Sequence, residues 1–312
     1  MAEEVEQEVV GDDAFELTSA FSFSLNQRIL PNGATSARVE PDAKETLVAV
    51  SASNKVILRN NESSLHIPDK IKCITTVPFG EGYDYIVVGT ESQVLVYDFH
   101  KNSTVFRRDV PDGVQCFVGK MGEIDRVILC GGNCAIWGFD ENGKDVFWTV
   151  TGDAVTTMCF SDFDADGEME LIIGSPDSEL RVFKNDLMRA EILETDAVVV
   201  LQGIDNRFGY ALANGTVGVY HQDQRLWRIK SKSIITAILS YPNSEMITCV
   251  WNSGKVRLHW ATQGFVLNAL AIFWARLTLS DVSVLAYTLN RFKDRSPLRP
   301  PKPSICWELA KL

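Results

Sequence analysis

Histidine is scarce in this chain, with four in 312 residues (His66, His100, His221 and His259). None stands in a local metal-binding or nucleophile pattern, so imidazole chemistry has little to work with. Basic charge is also short. Thirty Lys and Arg stand against 41 Asp and Glu, for a net charge of −11, and that balance argues against nonspecific nucleic-acid binding, which needs clustered cations for phosphate contacts. Long unbroken apolar runs are missing. The most apolar stretch, 265–292, is interrupted by Arg276 and Asp281, each costing about 2.5–3.5 kcal/mol at a bilayer centre, so no membrane span is expected. No basic region followed by an apolar run stands at the N-terminus, so no signal peptide is visible. The seven cysteines are odd in number and lie mostly in apolar stretches, as expected of reduced, buried thiols in the cytosol. Cys130 and Cys134 have no second Cys or His pair nearby to complete a zinc shell.

What is present is a soluble composition, 46% hydrophobic and 23% charged, unevenly laid out. Residues 1–16 hold seven acids and no base, which reads as an acidic, disordered leader. Between 17 and 260 lie six segments of one design, a short apolar strand, a small or polar turn and a second strand: TLVAVSASNKVILRN (46–60), YIVVGTESQVLVYDF (85–99), RVILCGGNCAIWGFD (126–140), ELIIGSPDSELRVFK (170–184), FGYALANGTVGVYHQ (208–222) and MITCVWNSGKVRLHW (246–260). Aligned on Val56, Val94, Ala135, Leu180, Val217 and Val256, they step by 38, 41, 45, 37 and 39 residues. A period near 40 leaves room for two further strands per unit. FWTVTGD (147–153) and LWRIKSK (226–232) are candidate outer strands, and Asn214-Gly215 predicts a tight primed turn. A four-stranded meander buries neither face alone, and radial stacking solves that, so the predicted fold is an all-β propeller of four-stranded blades. A β-sandwich also has many short strands but gives no reason for a fixed beat. From 261 to 312 the beat stops, and an apolar and then basic, proline-rich tail is expected to lie outside the propeller.

Two features point to sites. In DFDADGEME, Asp162, Asp164 and Asp166 alternate and Gly167 follows, like the first half of a calcium loop. The twelfth position is Ile173, in a strand, which excludes a helical EF-hand. A shorter loop closed by Glu170, with Glu168 beside it, is expected to hold one structural Ca²⁺. The alternative is an acidic turn whose Asp side chains bond nearby backbone N–H groups. Arg228, Lys230 and Lys232 alternate in LWRIKSK and so share one strand face; they are a candidate partner-docking row, or an ordinary solvated face. Trp137, Trp148, Trp227 and Trp251 recur within the repeats and are expected in the core between blades.

The words GGNCA (131–135), FWTVTGD, DFDADG (162–167), RVFK (181–184), RFGYALANGTVGVY (207–220), WRIKSK (227–232) and SGKV (253–256), in that order, resemble the N-terminal propeller of the Bardet–Biedl syndrome 2 family, subunits of the BBSome coat complex. The resemblance implies seven blades, against the six repeats found here, and then a coiled coil and further modules where this chain has a divergent tail. It implies a non-catalytic scaffold in ciliary membrane-protein trafficking and cilium assembly. The partners it implies are other BBSome subunits, above all a related propeller subunit. Through the complex it implies an Arf-like GTPase and ciliary membrane cargo, with only peripheral membrane contact. The location implied is cytoplasm, cilium, ciliary membrane and basal body. It also places the family's acidic loop on Asp162, Asp164 and Asp166. Two rival functions make different demands. A calcium-stabilised integrin-like adhesion propeller would show several acidic loops and paired cysteines. A propeller enzyme would show converging carboxylates, Arg or His.

Overall fold

In a computed structural model the six repeats form six four-stranded antiparallel sheets, each a meander in sequence order. Residues 18–288 are described except 25–26, 59–63, 122–125, 241–245, 254, 262–265, 268–272 and 278–281. The leader (1–16) and the last part of the tail lie outside the described residues. Sheet one holds β2 (Ile29–Ala37), β3 (Thr46–Ser51), β4 (Lys55–Leu58) and β5 (Ser64–His66), after β1 (Thr18–Ser24). Sheet two holds β6 (Ile71–Val77), β7 (Tyr85–Thr90), β8 (Gln93–Asp98) and β9 (Ser103–Asp109). Sheet three holds β10 (Cys116–Met121), β11 (Arg126–Gly131), β12 (Ala135–Asp140) and β13 (Asp145–Val150). Sheet four holds β14 (Thr157–Ser161), β15 (Glu170–Gly174), β16 (Glu179–Lys184) and β17 (Leu187–Leu193). Sheet five holds β18 (Val198–Ile204), β19 (Arg207–Leu212), β20 (Thr216–His221) and β21 (Gln224–Lys230). Sheet six holds β22 (Ile235–Ser240), β23 (Met246–Trp251), β24 (Val256–Trp260) and β25 (Val266–Leu267).

The six aligned positions fall on the third strand of successive sheets, and both candidate outer strands are fourth strands. The beat thus counts blades. Two details differ from expectation. Sheet six draws β25 from beyond residue 260, where the repeats were expected to end. Within the tail, β26 (Phe273–Leu277) and β27 (Val282–Thr288) pair with each other, and β27 pairs with β1. The result is a separate three-stranded sheet joining the start of the described chain to the tail.

Burial explains the sequence pattern. In β7, β15 and β19 consecutive residues, not alternate ones, are buried, because both faces of the sheet are covered. Five apolar clusters fill the five interfaces between consecutive sheets. Val48 and Val50 of sheet one meet Ile86 and Val88 of sheet two, and Val87 and Val96 on the other face meet Ile128 and Phe139 of sheet three. Leu129 and Ile136 then meet Leu171 and Ile173, Ile172 and Val182 meet Phe208 and Tyr210, and Val217 and Val219 meet Ile235 and Ile247. The first strands β2, β6, β10, β14, β18 and β22 touch their neighbours in that order and so line the inner edge. The fourth strands β9, β13, β17 and β21 are the exposed outer edges.

Three local expectations need correction. In the Asn214-Gly215 turn only Gly215 has positive φ (84°). With Gly215 N–H donating to the Leu212 carbonyl at 3.0 Å, this is a three-residue hairpin loop with glycine in the left-handed position, not a two-residue primed turn. Trp251 is buried and Trp137 and Trp227 pack against the cores, but Trp148 sits 54% exposed on the outer strand β13. Cys73, Cys130, Cys159 and Cys249 are buried, whereas Cys134 is exposed in the β11–β12 turn. Burial pushes the Cys249 thiol up to about 12, which leaves it inert.

Candidate functional site: an acidic loop and a basic edge strand

The acidic loop joins the first two strands of sheet four. Sheet pairing fixes its ends, with Ser161 opposite Glu170, and sheet five supports its entry: the Asp205 carbonyl accepts from Asp162 N–H at 3.1 Å and from the Ser161 hydroxyl at 2.9 Å. Left-handed backbone at Ala165 (φ 60°) and Gly167 (φ 90°) curls the chain. One ligand oxygen each from Asp162, Asp164 and Asp166 then falls within 4.8 Å of the others. A calcium shell with bonds of about 2.3–2.6 Å allows oxygens about 5 Å apart at most, so the spacing suits that ion. Asp162 Oδ2 accepts from Gly167 N–H at 3.2 Å, while its buried Oδ1 has no hydrogen-bond partner.

The other two predicted ligands behave differently. Glu170 is 1% exposed beneath the loop, and its Oε2 accepts from Phe163 N–H at 2.8 Å. The Glu168 side chain is 74% exposed and stands at the periphery. Sequence reasoning missed Lys184, at the end of β16. Its ammonium donates to Asp164 at 3.0 Å and to Asp166, and lies 3.1 Å from Glu170 Oε1 and 3.9 Å from Glu168. Hydrogen bonding by Asp166 and Asp164 holds the Lys184 amine well above the usual lysine range, and Lys184 in turn holds Asp166 below the usual carboxylate range. Five carboxylates still outnumber one ammonium, leaving strong negative charge. A single lysine in an apolar strand gives no sign in sequence that it points at a loop twenty residues earlier.

The basic row sits on sheet five. Trp227 and Ile229 face inward onto the core shared with sheet six, and the Trp227 indole donates to the Ala261 carbonyl at 3.0 Å. The alternate residues Leu226, Arg228 and Lys230 are exposed, as is Lys232 just beyond the strand. Strand periodicity brings Arg228 and Lys230 onto one face, but Lys232, expected on the same strand face, lies past the end of β21 in a bend, because the strand stops at Lys230.

Two more polar clusters had no sequence signal. Arg181, 6% exposed, bonds Asp177 and Glu179 and reaches Glu191 at 3.3 Å. Buried Glu194 accepts from the Tyr220 hydroxyl at 2.5 Å, with Arg225 at 3.9 Å. A 470 Å³ cavity lies among Phe79, Tyr83, Tyr85, His100 and Glu141. Tyr83 at its edge is engaged, donating to Asp98 at 2.9 Å.

Residues 40–119 match the family model described as ciliary BBSome complex subunit 2, N-terminal, and residues 157–259 match its middle region. Together the two take in more than half of the chain. The chain belongs to the BBSome subunit 2 family. The BBSome complex member bbs-2 of Caenorhabditis elegans is 55% identical over 259 residues, 82% of this chain and 36% of the worm protein. BBSome complex member BBS2 of Homo sapiens is 43% identical over 226 residues, covering 69% of this chain and 31% of its own length. The chain thus spans about a third of the length of these curated relatives. Among solved structures, BBS1N in complex with ARL6DN superposes with a TM-score of 0.70 at 13% identity, over 88% of this chain and 98% of that one. At that identity the likeness is one of fold, and it agrees with the propeller read from the repeats. The acidic loop and the basic row both lie inside the segment matched to the family's middle region.

Proposed function

We propose that this chain is a non-catalytic scaffold subunit of a BBSome-type coat acting in ciliary membrane-protein trafficking and cilium assembly. Its partners would be the other subunits, above all a related propeller subunit, and, through the assembled coat, an Arf-like GTPase and membrane cargo. It would work in the cytoplasm, at the basal body and at the ciliary membrane. The observation that carries this reading is the 55% identity to a BBSome member across 82% of the chain. A propeller of the same fold, BBS1N, has been crystallised with ARL6DN, which makes a subunit–GTPase contact natural for such a coat. Among the described residues no helix is long and apolar enough to cross a membrane. The adhesion and enzyme readings find no comparable support. Only the 162–170 loop alternates three aspartates, and Asp164 and Asp166 turn to Lys184. Affinity purification of the tagged chain from ciliated cells should recover other coat subunits. A folded chain that recovers none contradicts the scaffold role.

Asp162, Asp164, Asp166 and Glu170 are our proposed ligands for one structural Ca²⁺, with Glu168 at the rim, and Arg228, Lys230 and Lys232 our proposed docking row. The converging oxygens and the unpartnered Asp162 Oδ1 support the ion, which would compete with Lys184 for Asp164 and Asp166. Millimolar calcium should raise the melting temperature of the wild type over that in chelator. Asp164→Ala should abolish the increment and Lys184→Met should enlarge it. Equal melting temperatures with and without calcium in both the wild type and Lys184→Met would dispose of the metal.

A further inference from the structure

The outer strands of the complete sheets differ in how they are protected. β9 carries Arg107 and Arg108, but the Arg108 guanidinium is tied to the Gly143 carbonyl. β13 presents Val146, Trp148 and Val150, all apolar. β17 mixes Arg189 with Glu191, and Glu191 is engaged by Arg181. Among the described outer strands, β9 leaves Arg107 and β17 leaves Arg189 as a lone cation outside any ion pair, whereas β21 and the residues just after it carry three. Arg225 of β21 is drawn to Glu194, but Arg228, Lys230 and Lys232 form no ion pair among the described residues. In a chain of net charge −11, a bare basic row is conspicuous, since carboxylates are abundant elsewhere on the surface.

The row is also rigid. Trp227 is anchored through its indole N–H to Ala261 and stacks on His259 at 5.4 Å between ring centroids, and Ile229 is packed in the same core. The cations therefore stand at fixed spacing, about 7 Å from Arg228 to Lys230 along the strand, on a platform that loses little entropy on binding. Exposed Leu226 and Ile234 flank them. β21 is hydrogen-bonded to β20 on one side and is the terminal strand of its sheet on the other, so it offers an edge for strand addition.

We infer that β21 takes an added strand from a partner: an extended acidic segment that pairs along this edge and sets alternate carboxylates opposite Arg228 and Lys230, with Lys232, past the strand end, adding positive charge where the segment leaves the edge. This rests on the assignment of the three residues as a docking row and names its occupant. Opposite charges directly across a strand pair attract, and backbone pairing fixes the register. An anionic membrane would meet the same charges but would leave the edge unpaired, so the free edge favours the peptide.

The test uses fluorescence anisotropy of the full chain with two labelled probes, a short peptide alternating Glu and Val and the same peptide N-methylated at the amides that would face β21. The first should bind, weakening as salt rises, and the second should bind at least about tenfold more weakly. Replacing all three cations (Arg228→Glu, Lys230→Glu, Lys232→Glu) should remove binding of the first with the melting temperature unchanged, and the three-glutamine version should weaken it by about tenfold. Equal binding of the two probes, or binding only to vesicles of phosphatidylserine and phosphatidylcholine, overturns the added strand. The docking row itself is judged separately. If the triple Glu variant recovers coat subunits from ciliated cells as the wild type does, that assignment falls; if recovery is lost while the peptide fails to bind, only the acidic-strand occupant falls.

Discussion

Gly203→Ala is expected to be among the most damaging single substitutions in the chain, costing about 3 kcal/mol and leaving little native protein at moderate denaturant. Gly203 lies on β18, the inner strand of sheet five, and a Cβ there would stand 1.9 Å from the Phe160 carbonyl oxygen on β14. The obstacle is backbone, so no rotamer relieves it; one inner strand has to move from the other. Those strands are also joined by side-chain bonds from sheet four, such as Thr157 Oγ1 accepting from Leu201 N–H at 3.0 Å. A control is available in the same sheet. A Cβ at Gly209 meets nothing closer than 3.4 Å, the Ile238 methyl, so Gly209→Ala should change stability by less than about 1 kcal/mol, with reduced unfolded-state freedom acting in its favour. Chemical denaturation of both variants measures the contrast directly, and equal midpoints would mean that the inner strands do not approach as closely as described.

Glu170→Leu should cost a comparable amount, about 3 kcal/mol. The carboxylate is buried, and it receives Phe163 N–H at 2.8 Å and Asp164 N–H at 3.4 Å while facing the Lys184 ammonium at 3.1 Å. Leucine fills the volume but leaves two amides without their acceptor and withdraws one carboxylate from the lysine. Glu170→Gln retains an acceptor oxygen and should lose roughly half as much. If Glu170→Leu unfolds at the wild-type midpoint, the loop is not organised around this side chain, and its proposed place under the metal fails with it.

Much of the architecture was legible because it is repetitive. Each repeat must cover two sheet faces, so β7, β11 and β15 carry dense runs such as IVV, VIL and LII, and the interval between runs counts the sheets. Outer strands were fainter for the same reason, since solvent places few demands on β13 or β17. A glycine repeat marks the same interval. Gly89, Gly131 and Gly174 recur in the last two residues of the second strand, and a Cβ at each would strike Val114, Val155 or Val198, just before or at the start of the next sheet's first strand. In the acidic loop, alternation brought out the three aspartates, but the Lys184 contact depends on how β16 lies beside β15, which no local spacing encodes. The Arg181 and Glu194 clusters were hidden likewise, because their partners come from turns and strands brought together only by folding.

The stacking order of the sheets supports everything else, and distances between spin labels on the outer strands test it most directly. With the exposed Cys134 replaced by serine, and Cys306 likewise, labels at Val105, Val146, Leu187 and Leu226 mark sheets two to five. Radial stacking predicts that the distance from the first label grows at each step, from Val146 to Leu187 to Leu226. A label on a non-consecutive sheet lying nearer to Val105 than the label at Val146 would contradict it.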